Sequence, residues 1–306
     1  MVRLRLDLAY DGGAFYGWAK QPTLRTVQGE LEQALHTILR VPAVDPDEPL
    51  RLTVAGRTDT GVHALHQVCH LDVGESTLDR CVGHMGVPAP EALFRRLSRM
   101  VPDDIAIHAV SVAPEGFDAR FSALERTYVY RICDDARPVD PRMRGFVLAL
   151  DDRLDLDAMN AAAAMTIGLH DFGSFATPNP GGTTIREVKQ AHWSRIPVSP
   201  LVPGASGGAG TAGGYTVPAA ESGLVCFTIV ADAFARNMVR SLVNACVKVG
   251  QGRKDLDWFA EKMATPLREG STGPIAPQGL TLEHVAYPAA DQLAARAEAI
   301  RAKRTL

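Results

Sequence analysis

Residues 3–10 read Arg-Leu-Arg-Leu-Asp-Leu-Ala-Tyr, and this alternation decides the fold class. In a strand, the apolar side chains at 4, 6, 8 and 10 share one face, and the charged side chains at 3, 5 and 7 share the other. A half-buried strand of this kind is typical of an antiparallel sheet. The stretch therefore predicts the first strand of such a sheet, and a turn follows it at Asp11-Gly12-Gly13.

One helix and several further strands follow in the first half of the chain. Thr26 is a candidate N-cap for a helix whose apolar positions fall on one helical face, at Val27, Leu31, Leu35 and Ile38. Apolar segments predict strands at 50–55, 67–73 and 105–112. The first half is thus predicted to run strand, helix, strand, strand, helix, strand.

The second half contains elements of the same kinds. Strands are predicted at 127–132, where Tyr128, Tyr130 and Ile132 share a face, and at 188–196 and 224–230. One helix is predicted from the apolar stripe Leu156, Met159, Ala163 and Ile167. A second, largely apolar helix is predicted from Phe234 to Val249, with Gly250 and Gly252 ending it.

These elements predict an α+β fold of two similar halves, each a mostly antiparallel sheet flanked by helices. The boundary is placed at Pro114-Glu115-Gly116, which gives halves of 1–115 and 116–289 and a basic tail of 290–306. Residues 76–90 and 197–223 lack periodicity and are interpreted as insertions, the second as a flexible one. The Gly208-x-Gly210-x-x-Gly213 pattern in it is interpreted as linker composition, because no strand leads into it and no helix follows.

Composition limits the class of protein. The chain has 306 residues, 46% hydrophobic and 22% charged, which is enough apolar material for a sizeable core. Its apolar runs are too short for a membrane span, and its first residues lack the apolar core of a secretory signal. The five cysteines form no C-x-x-C pair, so we expect a reducing cytoplasm. A net charge of −3 still allows a local basic patch that binds nucleic acid.

The densest group of polar and small residues is Ala55-Gly56-Arg57-Thr58-Asp59-Thr60-Gly61-Val62-His63-Ala64, directly after a predicted strand. A loop at a strand end is a usual place for catalytic groups, although composition alone favours an ordinary turn in which Asp59 caps backbone N–H groups. Asp59-Thr60-Gly61 also matches the triplet of aspartic proteases. That chemistry needs two carboxylates, and the chain has no second triplet, so a protease is excluded.

Histidines and arginines near this motif are candidate metal ligands and candidate charge partners, respectively. His63, His66 and His70 lack the spacing of a zinc site, and structural roles are favoured, with His63 in the loop before a strand. In the predicted helix at 234–249, Arg236 and Arg240 stand four residues apart on one side. Because a charged side chain in a buried helix needs a partner, Arg240 is either a snorkelling arginine or the partner of a buried carboxylate such as Asp59.

Together these segments resemble the tRNA pseudouridine synthase A family over roughly residues 4–287. The matching motifs occur in the family's order: Tyr10-Asp11-Gly12 with Gly17-Trp18 and Gln21-Pro22, Thr26-Val27-Gln28, Ala55 to Asp59 with Gly61 to Ala64, Phe117-x-Ala119-Arg120-Phe121-Ser122-Ala123, Arg126-x-Tyr128-x-Tyr130, Asp171-Phe172-x-Ser174-Phe175, Phe234-x-x-x-Met238-Val239-Arg240 and Ala276-Pro277-x-Gly279-Leu280. Any one of these motifs is weak, whereas eight in order are specific. The chain departs from the family at Ala235-Arg236-Asn237, where a bulkier or His-containing run is common.

The resemblance implies the pseudouridine synthase fold, an active-site cleft between the halves, and a role for each of four residues. Asp59 matches the essential aspartate, acting either as a nucleophile or by promoting a glycal-like intermediate. Tyr128 matches the tyrosine that stacks on the target base, Arg240 the arginine that pairs with the aspartate, and Arg57 the arginine that helps to turn the base out. The reaction would use no metal and no cofactor.

The resemblance also implies a substrate and an assembly. The expected reaction converts uridines 38, 39 and 40 of the tRNA anticodon stem-loop to pseudouridine, carried out by a cytoplasmic homodimer. A non-catalytic RNA-binding module on the same fold is the main alternative, and a hydrolase using Asp59 and the histidines is a weaker one. The candidate phosphate contacts are Lys20, Arg25, Arg95, Arg96, Arg99, Arg120, Arg126 and Arg131, while the tail is interpreted as a solvated face.

Overall fold

A computed structural model describes residues 1–41, 50–177, 182–198, 220–267 and 272–301. In this part of the chain the strands are β1 (Val2–Tyr10), β2 (Thr53–Val54), β3 (His63–Val73), β4 (Ile105–Val112), β5 (Glu125–Cys133), β6 (Leu148–Ala149), β7 (Gly168–Asp171), β8 (Ile185–Arg195), β9 (Val225–Ala231) and β10 (Leu280–Ala286). The α-helices are α1 (Val27–Leu39), α2 (Glu75–Arg80), α3 (Ala89–Met100), α4 (Leu156–Ala164), α5 (Met238–Gly250), α6 (Leu256–Ala264) and α7 (Leu293–Arg301).

The strands form one mixed, mostly antiparallel sheet in the order β4-β1-β3-β10-β5-β9-β8-β7, with β2 on β3 and β6 on β5. The α+β class and the antiparallel character predicted from the sequence are therefore confirmed. The predicted limit at 114–116 falls in the connection between β4 and β5. The strands of both halves belong to the same sheet, because β10 pairs in parallel with β3 and antiparallel with β5.

The alternation that predicted the first strand has the expected consequence in β1. Leu4, Leu6 and Leu8 are fully buried in the core, whereas Arg5 and Asp7 face the other side and pair with each other at 2.6 Å. Beside this strand, α1 begins where predicted, since the Thr26 hydroxyl accepts a hydrogen bond from the Gly29 N–H at 3.2 Å. The first half is therefore organised by burial of one face of β1.

Several predicted boundaries are wrong, each for a local reason. The strand expected at 50–55 is only the two-residue β2, and β3 begins at His63, so that histidine lies in the strand rather than in the loop before it. The helix α4 ends at Ala164, which leaves Ile167 47% exposed beyond it. The helix α5 begins at Met238 rather than Phe234, because Asn237 has a left-handed backbone conformation with φ of 61°.

The two segments interpreted as insertions have different outcomes. Residues 76–90 are not an irregular insertion, since they contain most of α2 and the start of α3. Most of 197–223, including Gly208, Gly210 and Gly213, lies outside the described residues. Residues 293–301 of the tail form α7, in which Leu293 is buried in the core. In the stretch from Arg296 onward that is interpreted as a solvated face, Arg296 is half-buried and Glu298 is exposed, and residues 302–306 lie outside the described residues.

Candidate active site

The loop that carries Asp59, residues 55–62, connects β2 to β3 and packs against residues 12–18. The Gly61 N–H donates to the Phe15 carbonyl at 3.2 Å, and the Trp18 N–H donates to the Thr58 carbonyl at 3.1 Å. Gly17, with φ of 86°, approaches so closely that a Cβ there would lie 2.8 Å from the Thr58 oxygen. The two segments therefore hold each other through their backbones, which places Asp59 without relying on its own side chain.

Buried polar side chains stabilise the same loop from beneath. The Tyr10 hydroxyl and the Thr58 Oγ1 are 2.7 Å apart, and the Gln67 amide donates both to the Gly56 carbonyl at 2.8 Å and to Tyr10 at 3.2 Å. His63 Nδ1 accepts the Gly12 N–H at 2.9 Å. Because buried polar groups are costly without partners, this network favours a single loop conformation.

Asp59 is half-buried and sits among positive charges. Burial raises the pKa of its carboxyl, while Arg240, Arg236 and the backbone N–H of Asn237 each lower it, and the effect of burial is the larger. The cations are present, but in the RNA-free protein they do not outweigh desolvation.

Arg240 lies in the first turn of α5, beside Asp59. Its Nε donates to the Ile275 carbonyl at 2.6 Å, and burial lowers the pKa of its guanidinium while Asp59 raises it. Among the described residues the two side chains form no direct salt bridge, so the arrangement is electrostatic rather than a bidentate pair. Arg236 precedes α5 and does not share a helical face with Arg240, contrary to the prediction.

Tyr128 lies in the middle of the sheet, on β5, opposite Leu282 of β10 and Ile229 of β9. It is 7% exposed, and its ring meets Phe234 edge-to-face with centroids 5.1 Å apart. Burial, Tyr10 and Asp59 all raise the pKa of its phenol well above the ordinary value. Its hydroxyl therefore stays protonated at neutral pH in the RNA-free protein. It lies close enough to Asp59 for the negative charge of that carboxylate to contribute to the raised pKa.

Arg57 is the most accessible of the four predicted residues. Its side chain is exposed, and it has no hydrogen bond or ion pair within the ranges that the structure covers. It stands two residues before Asp59 in the same loop. The structure thus brings Asp59 within electrostatic reach of both Arg240 and Tyr128, with Arg57 on the solvent side of the loop.

The three histidines of β3 each have a protein partner of their own. His63 binds the Gly12 N–H and packs on Phe146, His66 Nε2 lies 2.9 Å from the Asp7 carboxylate, and His70 Nδ1 accepts the Ala119 N–H at 3.0 Å. In the described ranges no group of three or more His, Cys, Asp or Glu side chains has the arrangement of a metal site. Within the same ranges no helix is long and apolar enough to cross a membrane.

Several candidate phosphate contacts are engaged within the protein. Arg126 is buried, and Arg131 lies 2.8 Å from Glu283. Arg25 forms a two-pronged contact with Asp104, at 2.7 and 2.9 Å. Lys20 is 3.1 Å from Glu32. These four are therefore poorer candidates for RNA contact than Arg57.

Two residues near Asp59 were missed as contributors to the site. Asn237 presents its N–H to Asp59 from a left-handed conformation, and its side-chain amide donates to the Thr177 hydroxyl at 2.8 Å. Phe234 provides the ring that Tyr128 meets. The usable signal was the asparagine itself, since Asn adopts positive φ more readily than other residues with a side chain.

Comparisons with known proteins agree with the resemblance. A family model described as tRNA pseudouridine synthase matches residues 162–288. The protein named tRNA pseudouridine synthase A from Bifidobacterium longum (strain DJO10A) is 72% identical over 306 residues, which cover the whole of both chains. Proteins of the same name from Streptomyces griseus and Cutibacterium acnes are 46% and 41% identical over 305 residues, covering this chain fully and 95% and 96% of theirs. The chain therefore belongs to the tRNA pseudouridine synthase A family, a family of isomerases.

Proposed function

We propose that the protein converts uridines 38, 39 and 40 of the tRNA anticodon stem-loop to pseudouridine. In this isomerisation the C1′–N1 bond breaks, the base turns within the site, and a C1′–C5 bond forms. The proton lost from C5 is balanced by the proton gained at N1. The observation that carries the proposal is a single half-buried carboxylate, Asp59, facing two guanidinium groups and a protonated tyrosine.

Asp59 acts at the sugar carbon, either by attacking C1′ or by promoting a glycal-like intermediate, and either role requires the ionised carboxylate. Arg240 and Arg236 lower its pKa, so they favour this form in a site whose burial opposes it. When RNA fills the site, water is excluded and these charges act in a lower dielectric. The Arg240 guanidinium is held beside the carboxylate because its Nε donates to the backbone carbonyl of Ile275.

Tyr128 and Arg57 act on the base. A uridine in a paired stem must leave the stack, which costs a few kcal/mol. Stacking on an aromatic ring returns about 1–3 kcal/mol, and the Tyr128 ring is already held by Phe234. Because its pKa is raised, the Tyr128 hydroxyl is protonated and can donate a hydrogen bond. It must lose that proton before it can act as a base for the C5 proton. Arg57, exposed and without a protein partner in the described ranges, is free to help turn the base out of the stack.

The proposal includes a cytoplasmic homodimer with one tRNA contacting both subunits, as the family resemblance implies. Sedimentation equilibrium of the protein, alone and with tRNA, measures the mass directly. A monomer at working concentrations that still modifies tRNA at full rate would contradict the dimeric part of the proposal and leave the reaction standing.

The reaction is tested by mapping pseudouridine on unmodified tRNA after incubation without any added cofactor. Wild type should produce it in the anticodon arm, whereas Asp59→Asn should produce none and retain tRNA affinity. Asp257→Asn, at an exposed position in α6, is the matched control and should behave as wild type. Binding of tRNA by the wild type without any pseudouridine would instead support a non-catalytic RNA-binding module.

A further inference from the structure

Arg126 carries a charged side chain into the interior of the protein, on the same strand as Tyr128. It is 7% exposed, and burial lowers the pKa of its guanidinium. Nη1 donates to the Asp232 carbonyl at 2.5 Å, and Nη2 donates to the carbonyls of Ala55 at 2.6 Å and Arg120 at 2.9 Å. All three acceptors are backbone oxygens, so this side chain joins segments of main chain rather than forming a salt bridge.

Two of these carbonyls begin the segments that lead to the proposed catalytic residues. Ala55 is the first residue of the loop that reaches Asp59 four residues later. Asp232 directly follows β9 and opens the connection that ends in α5 and Arg240. Arg126 itself is two residues before Tyr128, so both side chains lie on the same face of β5. One guanidinium therefore links the backbones that carry Asp59, Tyr128 and Arg240.

The anchor points on both sides are themselves well held. The Asp232 carboxylate accepts the N–H groups of Glu187 at 3.0 Å and Ala233 at 2.8 Å, which ties this turn to β8. On the other side the guanidinium lies directly under the Asp59 loop, since a Cβ at Gly56 would be 3.9 Å from Nε of Arg126. A shift of Arg126 would therefore pass to the loop and to the connection together.

We propose that Arg126 is a positioning residue that sets the mutual placement of Asp59, Tyr128 and Arg240 without contacting the RNA. The role rests on the proposed function, and it replaces the expectation that Arg126 is a phosphate contact. A planar guanidinium with donors in several directions can bind three carbonyls at once, whereas the single ammonium of lysine, on a stem of different length, cannot reproduce that fork. Geometry of this kind matters to rate, because a misplacement of about 1 Å can cost on the order of 100-fold in turnover.

The test compares Arg126→Lys and Arg126→Met with Arg195→Met. Arg195 is the control, because it lies on β8 and its guanidinium pairs with the buried Asp134 carboxylate, at 2.6 and 2.7 Å, rather than with any carbonyl that Arg126 binds. Thermal unfolding, tRNA affinity, kcat and KM are measured for each variant on unmodified tRNA. Arg126→Lys should lower kcat by at least about tenfold with KM within about threefold of wild type, while Arg195→Met should keep wild-type kcat even if it unfolds at a lower temperature.

A wild-type kcat in Arg126→Lys would overturn the positioning role. A defect confined to tRNA affinity, with the salt dependence of binding reduced by about one ion, would overturn it in favour of a phosphate contact. If Arg126→Met does not fold, Arg126→Lys alone decides. Absence of pseudouridine from both the wild type and Arg195→Met would instead refute the proposed function, and the positioning role with it.

Discussion

The loop that carries Asp59 and the connection that carries Arg240 meet at the site but are held in different ways. The loop is locked through main chain, with the Gly61 N–H on the Phe15 carbonyl and the Trp18 N–H on the Thr58 carbonyl. The connection also has a main-chain bond, from the Thr177 N–H to the Arg236 carbonyl at 2.9 Å, but beside the site it depends in addition on side chains. Asn237 donates to the Thr177 hydroxyl at 2.8 Å and Arg240 to the Ile275 carbonyl at 2.6 Å.

This difference separates two kinds of sensitivity. A main-chain lock tolerates changes of side-chain chemistry but not added volume where backbones touch. A side-chain lock tolerates volume at the surface but depends on the particular donor or acceptor that forms it. Added volume should therefore displace Asp59, whereas loss of a donor or acceptor should displace Arg240. Each of the following experiments probes one side of that contrast.

The largest effect is expected from Arg240→Lys. Lysine keeps the charge, but it lacks the Nε donor that bonds the Ile275 carbonyl and so cannot hold that charge in the same place beside Asp59. We expect kcat/KM to fall by on the order of 100-fold, comparable to the loss of one preorganised donor to a developing charge. Single-turnover kinetics on unmodified tRNA measure it.

Arg236→Lys is the matched control for this substitution. Its charge also reaches Asp59, but it precedes α5, so retention of the charge alone should preserve kcat/KM within about threefold. Equal losses of kcat/KM in the two lysine variants would show that the hydrogen bond from Arg240 to Ile275 gives Arg240 no role that Arg236 lacks.

The next effect is expected from Gly12→Ala, which adds volume to the main-chain lock. A Cβ at Gly12 would overlap the carbonyl group of Val62, whereas a Cβ at Gly56, in the same loop region, would find ordinary contacts only. Gly12→Ala should therefore lose about 1–3 kcal/mol of unfolding free energy and most of its turnover. Urea unfolding and pseudouridine formation measure the two effects.

Gly56→Ala is the control and should remain close to wild type in both measurements. Wild-type stability in Gly12→Ala would show that residues 12–18 move away from the loop easily. The backbone contacts would then be no guarantee of where Asp59 lies.

A smaller effect is expected at Asn237, which tests the side-chain lock. Alanine there is strained at a positive φ by about 1–2 kcal/mol, whereas glycine adopts that conformation freely and lacks only the bond to Thr177. Asn237→Ala should unfold at a lower temperature than Asn237→Gly, and both should lose turnover several-fold. Calorimetry and kcat on the same preparations distinguish backbone strain from loss of the anchor.

Thr177→Val isolates the anchor further, because it removes the acceptor and leaves Asn237 in place. Its turnover should match that of Asn237→Gly. Full activity in Thr177→Val would show that the main-chain bond from the Thr177 N–H to the Arg236 carbonyl, at 2.9 Å, is anchor enough for the left-handed turn.

The two regions also differ in how far the sequence could predict them. Composition predicts a turn at the Asp59 loop, since glycines, threonines and an aspartate follow an apolar strand, but only the family motif distinguishes a catalytic loop from an ordinary turn there. The strand pattern around it was recoverable because burial of one face imposes a period of two, as β1 shows. The family motifs added Tyr128 and Arg240, which periodicity alone would leave in the core.

What the sequence did not predict depends on single dihedral angles and on long-range contacts. The apolar positions from Phe234 to Val249 fit one continuous helix, so the pattern does not reveal the left-handed residue Asn237, after which α5 begins at Met238. The parallel pairing of β10 with β3, and the role of Arg126 between distant carbonyls, arise from contacts of residues more than 70 positions apart. Such contacts have no local signature.

The smallest effect is expected in the stability of Asp59→Asn. It measures whether burial in the loop or the positive charges of the connection has the larger influence on the pKa of the Asp59 carboxyl. Burial raises the pKa of Asp59 above its value in the unfolded chain, so the folded protein holds that proton more tightly than the unfolded one. The resulting stability is complete below the unfolded pKa and is lost as the pH rises through the folded pKa. At neutral pH the ionised carboxylate therefore weakens the fold, and its neutral replacement should strengthen it.

Asp59→Asn should accordingly unfold a few degrees above wild type at about pH 7.5, with the difference shrinking towards about pH 5. Asp257→Asn, at its exposed position in α6, controls for the loss of one formal charge and should show no such trend. If wild type is the more stable protein at about pH 7.5, the attraction of Arg236, Arg240 and the Asn237 N–H exceeds the cost of burial. The connection rather than the loop would then determine the charge state of Asp59, and the lysine variants of Arg236 and Arg240 should leave that wild-type advantage largely intact because they keep both charges.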